Sequence, residues 1–267
     1  MLQSAGSGPV MGIELAPGDF TPYIARNRRV GGFTFDIWIT DPVAEEWYGG
    51  ESSHDLPECV WLFSHILAGM KVADCGAHHG FLTIPLSKAV GPTGVVGAWE
   101  ALPRNATVIN RNLALNGCKN VFVHALALGD ECKLVPFWTH TSNSLIPWQK
   151  PEYANDEVQM VRLDDQIPAH VKVDAIKIDV EGSDLQMVRG ARRVLSQRPI
   201  IDLELHCCLF ENRNGVIAEI FSILRPLSYV YSVLARGDDI VREIGWNIDL
   251  TELAQYDNPH VFCLPVW

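Results

Sequence analysis

Between residues 71 and 206 the chain alternates short apolar runs with segments whose apolar residues recur every three to four positions. The first pattern suits buried strands and the second suits amphipathic helices packed against them. Residues 71–75 predict a strand. Leu82, Pro85, Leu86, Ala89 and Val90 follow at helical spacing, with Pro85 near the first turn, where its missing N–H is tolerated. Residues 95–100 predict a second strand. Residues 103–116 predict a helix with Ala106, Ile109 and Leu113 on one face, stopped by Asn116-Gly117. Residues 120–125 predict a third strand. Farther along, strands are predicted at 173–179, 200–206, 229–234 and 260–266, and a helix at 216–224. Ser183-x-x-Gln186 has capping-box spacing before a helix carrying Leu185, Val188, Ala191 and Leu195 on one face.

Two stretches break this rhythm. Residues 9–55 are rich in Gly, Pro and aromatics, with one alternating strand at 33–39, so residues 1–55 read as an N-terminal extension or lid. Residues 56–68 read as a buried helix leading into the core. Between 130 and 170, the strand-like runs 133–138 and 158–163 flank a Pro/Ser/Asn-rich loop. This reads as a hairpin insertion of about residues 131–160 within one domain spanning 56–267. Repeated βα units imply a parallel sheet with helices on both faces, and in such sheets ligands bind at the carboxyl ends of the strands.

Composition adds limits. The 267 residues are 48% apolar and 20% charged, an ordinary globular balance. Lys+Arg 21 against Asp+Glu 32 gives −11, which disfavours broad nucleic-acid or anionic-membrane binding. The short basic cluster is Arg26, Arg28 and Arg29. The apolar stretch 60–70 is too short to span a bilayer and carries His65. The N-terminus has no basic-then-apolar signal. Seven cysteines form no C-x-x-C pair, which argues against a zinc finger or a disulfide framework and for reduced thiols in a cytoplasmic protein.

The chemistry starts where the first strand ends, at Asp74-Cys75-Gly76-Ala77-His78-His79-Gly80. Glycines let this loop turn sharply and approach a ligand. His78 stands where a dinucleotide fingerprint needs glycine, so a pyrophosphate fits poorly. Glu100 ends the second strand, placed to accept both hydroxyls of a ribose. A nucleoside cofactor without a pyrophosphate satisfies both features, and S-adenosylmethionine is one. Residues 125–130, with Ala127 and Asp130, either wall an adenine ring or form a plain strand-to-turn segment.

Taken together, these residues resemble the FkbM family of S-adenosylmethionine-dependent methyltransferases. The matching stretches are V-A-D-C-G-A-H-H-G-F-L-T at 72–83, W-E-A-L-P-R-N at 99–105, A-L-G-D at 127–130, L-D-D at 163–165 and A-I-K-I-D-V-E-G at 175–182, together spanning about half the chain. The resemblance implies an α/β class I methyltransferase (Rossmann-like) fold, with a seven-stranded, mostly parallel sheet whose last strand is antiparallel. It also implies methylation of hydroxyl groups, commonly on sugars or polyketide-like natural products. It assigns Asp74, Gly76, Ala77, His78, Gly80, Thr83, Glu100, Asn105, Ala127 and Asp130 to the cofactor. The chain departs from the family's pattern at His78, where Asn is usual, and at Ala101, where Pro is usual. The ends of the chain match nothing specific.

Transfer to a hydroxyl needs a nucleophile held about 3 Å from the methyl and a path for its proton. Asp179 closes the strand 173–179, and Glu204 and His206 close 200–206, so two carboxylates and an imidazole converge. Glu181 follows at a helix entrance. Two readings stand side by side: His206 as general base oriented by a carboxylate, or Asp179 and Glu204, with His206 as an optional third ligand, holding a divalent metal such as Mg2+ that acidifies the hydroxyl. Lys177 reads as the partner of an ion pair. His79, His140 and Ser144 are candidates for contact with the acceptor. The expected partner is a small molecule or oligosaccharide, with no nucleic acid and no membrane, and with homo-oligomerisation left open. An N- or carboxyl-methyltransferase and a non-catalytic nucleoside binder are the alternatives.

Overall fold

In the computed structural model, which describes residues 20–50, 56–138, 156–235 and 237–266, a glycine pair makes the first turn. β1 (Tyr23–Val30) and β2 (Phe33–Ile39) form an antiparallel hairpin. Gly31 and Gly32 between them have φ of 57° and 81°. A tight turn that matches the strand twist needs these left-handed values, and glycine takes them without a steric penalty. Residues 33–39 were the one strand expected here. β1 escapes a sequence reading because it buries only Ala25 and Val30 among its polar neighbours.

This hairpin is a layer of the body. Phe35, Ile37 and Ile39 bury themselves against Ile84 of the helix Thr83–Val90 and against Ile109 and Leu113 of the helix Pro103–Leu115. Each such side chain contributes about 1.5–3 kcal/mol by leaving water. The Trp38 backbone N–H donates to Asn112 Oδ1 at 2.7 Å, and that of Asp36 donates to Asn116 Oδ1 at 3.0 Å. The short helix Pro42–Tyr48 follows, with the Asp41 side chain accepting from the Ala44 N–H as its cap.

The central sheet is built from β3 (Lys71–Cys75), β4 (Val95–Glu100) and β5 (Val121–Ala125) on one side. After the side-sheet strands β6 (Ala127–Leu128), β7 (Lys133–Phe137) and β8 (Asp156–Val161), it continues with β9 (Ala175–Ile178), β10 (Ile200–Glu204), β11 (Tyr229–Leu234), β12 (Arg242–Gly245) and β13 (His260–Pro265). Its order is β12-β11-β13-β10-β9-β3-β4-β5. Within this sheet β5, β4, β3, β9 and β10 run parallel, and β13 inserts antiparallel between β10 and β11. This is the expected seven-stranded, mostly parallel sheet, with β12 added as a short antiparallel edge. The strand order reverses between β3 and β9, so their carboxyl ends form a crevice. The hairpin expected within 131–160 exists as β7 and β8, and β6 pairs parallel to β8.

Three local expectations are corrected. The helix at 56–68 is shorter, Pro57–His65, and buries Cys59 and Leu62 while Val60 is 53% exposed. Leu62 joins Val72, Leu86 and Val96 in the core, as expected of a helix leading into it. Ser183 stands at the N-cap of the helix Asp184–Gly190 but makes no side-chain capping bond, and the Asp184 carboxylate accepts instead from the His206 N–H at 3.1 Å. The strand predicted to reach residue 206 ends at Glu204: the Leu205 N–H still donates to the Pro259 carbonyl, but the His206 N–H turns to Asp184, and the turn Cys207–Leu209 follows. None of the seven cysteines is bridged. Among the described residues no helix is long and apolar enough to cross a membrane.

Candidate active site

The loop after β3 is folded back against its neighbours. Gly76 has φ of 87°, and a Cβ there would fall 1.6 Å from the Asp179 carbonyl oxygen, so no other residue fits. The Gly76 and Ala77 N–H groups both donate to the Trp99 carbonyl, at 2.9 and 3.0 Å. His78, in the left-handed region at φ 50°, donates its N–H to Glu100 Oε2 at 2.8 Å. Glu100 Oε1 accepts from the Leu102 N–H at 3.0 Å and from Asn105 Nδ2 at 3.2 Å. These three donors fix the carboxylate, yet burial outweighs them and pushes its pKa up to about 7.

A cavity of about 1020 Å³ opens beside this loop. Asp74, Gly76, Ala77, His78, Glu100 and Ala127 line it. Other residues assigned to the cofactor act from behind. Thr83 Oγ1 donates to Asp74 Oδ2 at 2.6 Å in the buried layer, Asn105 braces Glu100, and Gly80 lies against Ile109. Asp130 does not line the cavity, and pairs with Arg189 at 3.4 Å.

His79, expected to face an acceptor, does not. It is fully buried, with Nε2 3.4 Å from Asp41 Oδ2. Burial lowers its pKa to about 4 against the pull of that carboxylate, so the ring is neutral. The reason lies in the turn: His78 takes the cavity side and the next residue faces the hairpin layer. His140 and Ser144 lie outside the described residues.

The other end of the cavity is acidic and imidazole-rich. Lys177, buried on β9, donates to Asp179 Oδ2 at 2.8 Å and to the Gly76 carbonyl at 3.2 Å, and its Nζ is 4.0 Å from Asp74 Oδ1. It is the ion-pair partner that the sequence suggested. His206 Nε2 stands 3.3 Å from Glu181 Oε2 and 3.6 Å from Asp179 Oδ1, while Nδ1 faces Asp184 Oδ1 at 3.3 Å. Burial would lower the pKa of His206, but the hydrogen bond and charge of Asp184, with Asp179 and Glu181, push it up to about 10. A ring held cationic at neutral pH is a poor general base, which weighs against that role for His206. Burial and then the Asp179 charge push Glu181 up to about 7. Burial opposes it, but Lys177 and His206 hold Asp179 below the usual carboxylate range.

Glu204 is not in this trio. It is opposite His260 in the β10–β13 register, with 3.7 Å between Oε2 and the His260 Nε2. His260 Nδ1 is 2.8 Å from Asp202 Oδ1. Burial, and then the Asp179 charge, push Glu204 upward. Asp202, with Glu204, overcomes burial and lifts His260 to about 9.

Sequence reasoning missed Asp184, Asp202, His260, Trp47 and Tyr48. Asp184 lies inside the 183–186 segment with capping-box spacing, and His260 opens the strand expected at 260–266, where its alternation with Phe262 is the available signal. Trp47 and Tyr48 line the cavity from the extension. The Tyr48 hydroxyl is 2.9 Å from His78 Nδ1, and its ring stacks on Phe81 with centroids 4.5 Å apart.

The sequence profile of the methyltransferase FkbM domain matches residues 74–232. Among solved structures, the chain is similar to a methyltransferase FkbM from Methylobacillus flagellatus, with 21% identity and a TM-score of 0.49. That match covers 73% of this chain, which spans only 44% of the length of the other. It is similar to a SAM-dependent methyltransferase from Aquifex aeolicus, with 18% identity, 85% of this chain and 100% of that one covered, and a TM-score of 0.45. It is also similar to a SAM-dependent O-methyltransferase from Thermotoga maritima, with 13% identity, 90% and 77% covered, and a TM-score of 0.47. No curated protein matches the chain.

Proposed function

The chain belongs to the FkbM methyltransferase family, and on that premise we propose that it transfers a methyl group from S-adenosylmethionine to a hydroxyl of a sugar, glycoside or other small natural product. The observation that carries this reading is that one cavity joins two chemically different ends. At one end stand the Gly76 turn and the braced Glu100. At the other stand Asp179, Glu181, Glu204, His206 and His260. Its volume, about 1020 Å³, is at the top of the range for a single small-molecule site and suits two reactants side by side.

When bound, the cofactor supplies an activated methyl on a sulfonium. Glu100 would accept both ribose hydroxyls. Ala77 and His78 would flank the amino-acid end, with Asp74 behind them. Leu126, Ala127 and Leu128 would flank the base. The Trp47 and Tyr48 rings offer faces on which an acceptor ring packs.

The group that takes the acceptor proton works best unprotonated, with a pKa near the operating pH. Glu181 and Glu204 suit this better than the two histidines, which their carboxylate neighbours hold cationic. The net charge of −11 favours a small molecule or oligosaccharide over a nucleic acid. The test is incubation with methyl-labelled S-adenosylmethionine and a panel of glycosides, hydroxylated natural products, amines and carboxylic acids. The expected outcome is label on oxygen of a hydroxyl compound. Label only on an amine or a carboxylate, or tight NAD binding with none of S-adenosylhomocysteine, would overturn it.

A further inference from the structure

We propose that Asp179, Glu181 and His206 form a site for one divalent transition-metal ion, of the Mn2+, Fe2+, Co2+ or Zn2+ class and not the Mg2+ or Ca2+ class. The first argument is spacing. Two donors each about 2.1 Å from an ion and subtending a right to tetrahedral angle lie about 3.0–3.4 Å apart. His206 Nε2 lies 3.3 Å from Glu181 Oε2 and 3.6 Å from Asp179 Oδ1, and one ligand atom from each of the three residues falls within 4.8 Å of the others. Small rotations of either carboxylate would close the set on an ion.

The second argument is how each donor is held from behind. Asp184, fully buried and outside the trio, takes Nδ1 of His206 at 3.3 Å and its backbone N–H at 3.1 Å. A carboxylate on one ring nitrogen fixes the tautomer that leaves the other nitrogen's lone pair for a metal. Lys177 engages Asp179 Oδ2 and leaves Oδ1 facing His206. Glu181 is held at φ 49°, an unfavourable backbone for a non-glycine residue, and this turns its carboxylate back toward His206 and not outward along the chain.

The third argument is charge and access. Once the incoming ion displaces the His206 ring proton to solvent, two carboxylates and a neutral imidazole sum to −2, matching a dication. All three residues line the cavity, so the remaining coordination positions face an acceptor. The imidazole decides the metal class, because a nitrogen donor suits Fe2+, Co2+ and Zn2+ and, beside two carboxylates, is accepted by Mn2+, while Mg2+ and Ca2+ prefer all-oxygen sets. Glu204, expected as a ligand, pairs with His260 instead and remains free to take a proton. Binding of the ion stands on these side chains alone. Its role, acidifying a bound hydroxyl, rests on the methyl-transfer reading.

The test uses the full chain, stripped with EDTA and dialysed. Mn2+ binding is followed by the EPR signal of the free ion and by calorimetry, with Zn2+ and Mg2+ as comparators. The expected result is one Mn2+ per chain with Mg2+ at least about tenfold weaker, and a loss of about tenfold or more in Glu181→Gln and in His206→Gln. His260→Gln should leave the affinity within about twofold. Circular dichroism checks each fold, and Glu181→Gln, at a partly exposed site, carries the test should His206→Gln unfold. No binding at millimolar Mn2+ or Zn2+, equal Mg2+ affinity, or undiminished binding in both variants would overturn the proposal. S-adenosylhomocysteine is titrated into the same samples. Its binding without any metal site removes this inference and leaves methyl transfer standing, whereas its absence removes methyl transfer and leaves the metal result to stand by itself.

Discussion

His260 and Asp202 lie on the adjacent antiparallel strands β13 and β10, with the imidazole Nδ1 2.8 Å from the carboxylate oxygen. This contact joins the C-terminal strand, beyond the matched family region, to the reactive end of the cavity. Asp202 is 2% exposed, so its charge acts on His260 with little screening.

A pH-dependent stability follows. The pKa of His260 is raised from 6.5 to about 9 by Asp202 and Glu204 against burial. A histidine raised in the fold stabilises the protein fully below its unfolded value, and that contribution is lost as pH rises through the folded value. The melting temperature of the native chain should therefore fall between pH 7 and pH 9.5. In Asp202→Asn the fall should be distinctly smaller across that window. An identical fall in both proteins would show that His260 is not the group responsible.

Cofactor affinity should depend on pH through Glu100. Burial raises its pKa to about 7, and ribose hydroxyls donate to the ionised form. S-adenosylhomocysteine should bind more tightly as pH rises from 5.5 to 8 and release protons below pH 7. Calorimetry in buffers of different ionisation heat reads this directly. Glu100→Gln should flatten the Glu100 part of the dependence. Glu100→Ala should weaken binding by at least about tenfold, because hydrogen bonds to a charged acceptor are worth about 1.5–3 kcal/mol each.

Gly76→Ala should damage the fold itself. Its Cβ would sit 1.6 Å from the Asp179 carbonyl oxygen at a φ of 87°. Relief requires β3 and β9 to separate at their carboxyl ends, where the site is built. Urea unfolding should show a loss of at least about 2 kcal/mol, a large value for one methyl group. Gly237→Ala, also at positive φ but with open space around the added atom, should cost less.

The reactive cluster should govern turnover and not cofactor capture. Asp179→Asn and His206→Gln should each lower kcat by about a hundredfold or more, with S-adenosylhomocysteine affinity within a few-fold. A parallel loss of affinity in both variants would place these residues in cofactor binding. Normal turnover in both would remove them from the chemistry and turn attention to Glu204 and His260.

The order of strands and helices, the glycine turn, Glu100 and the Asp179–Glu181 segment could be read from the residues because these signals are local. A period of two or of 3.6 positions fixes which face is buried, and a glycine at a turn marks the backbone conformation that only it takes freely. Such patterns say which side of an element faces inward but not what it meets there. Asp184 could be read as a helix cap, yet the bend after Glu204 brings His206 onto it. His79 could be read as loop chemistry, yet the docked hairpin supplies Asp41 and buries it. Glu204 and His206 could be read as one pair, yet the strand ends between them and they face different partners. His260 reaches Asp202 across 58 positions of sequence because β13 is inserted antiparallel beside β10. The sequence by itself determined the elements, their inward faces and the turn that receives a ligand. Strand register and the docking of the N-terminal layer decided which charged groups share a cavity, since the electrostatics of a site depend on distances across elements that local periodicity does not encode.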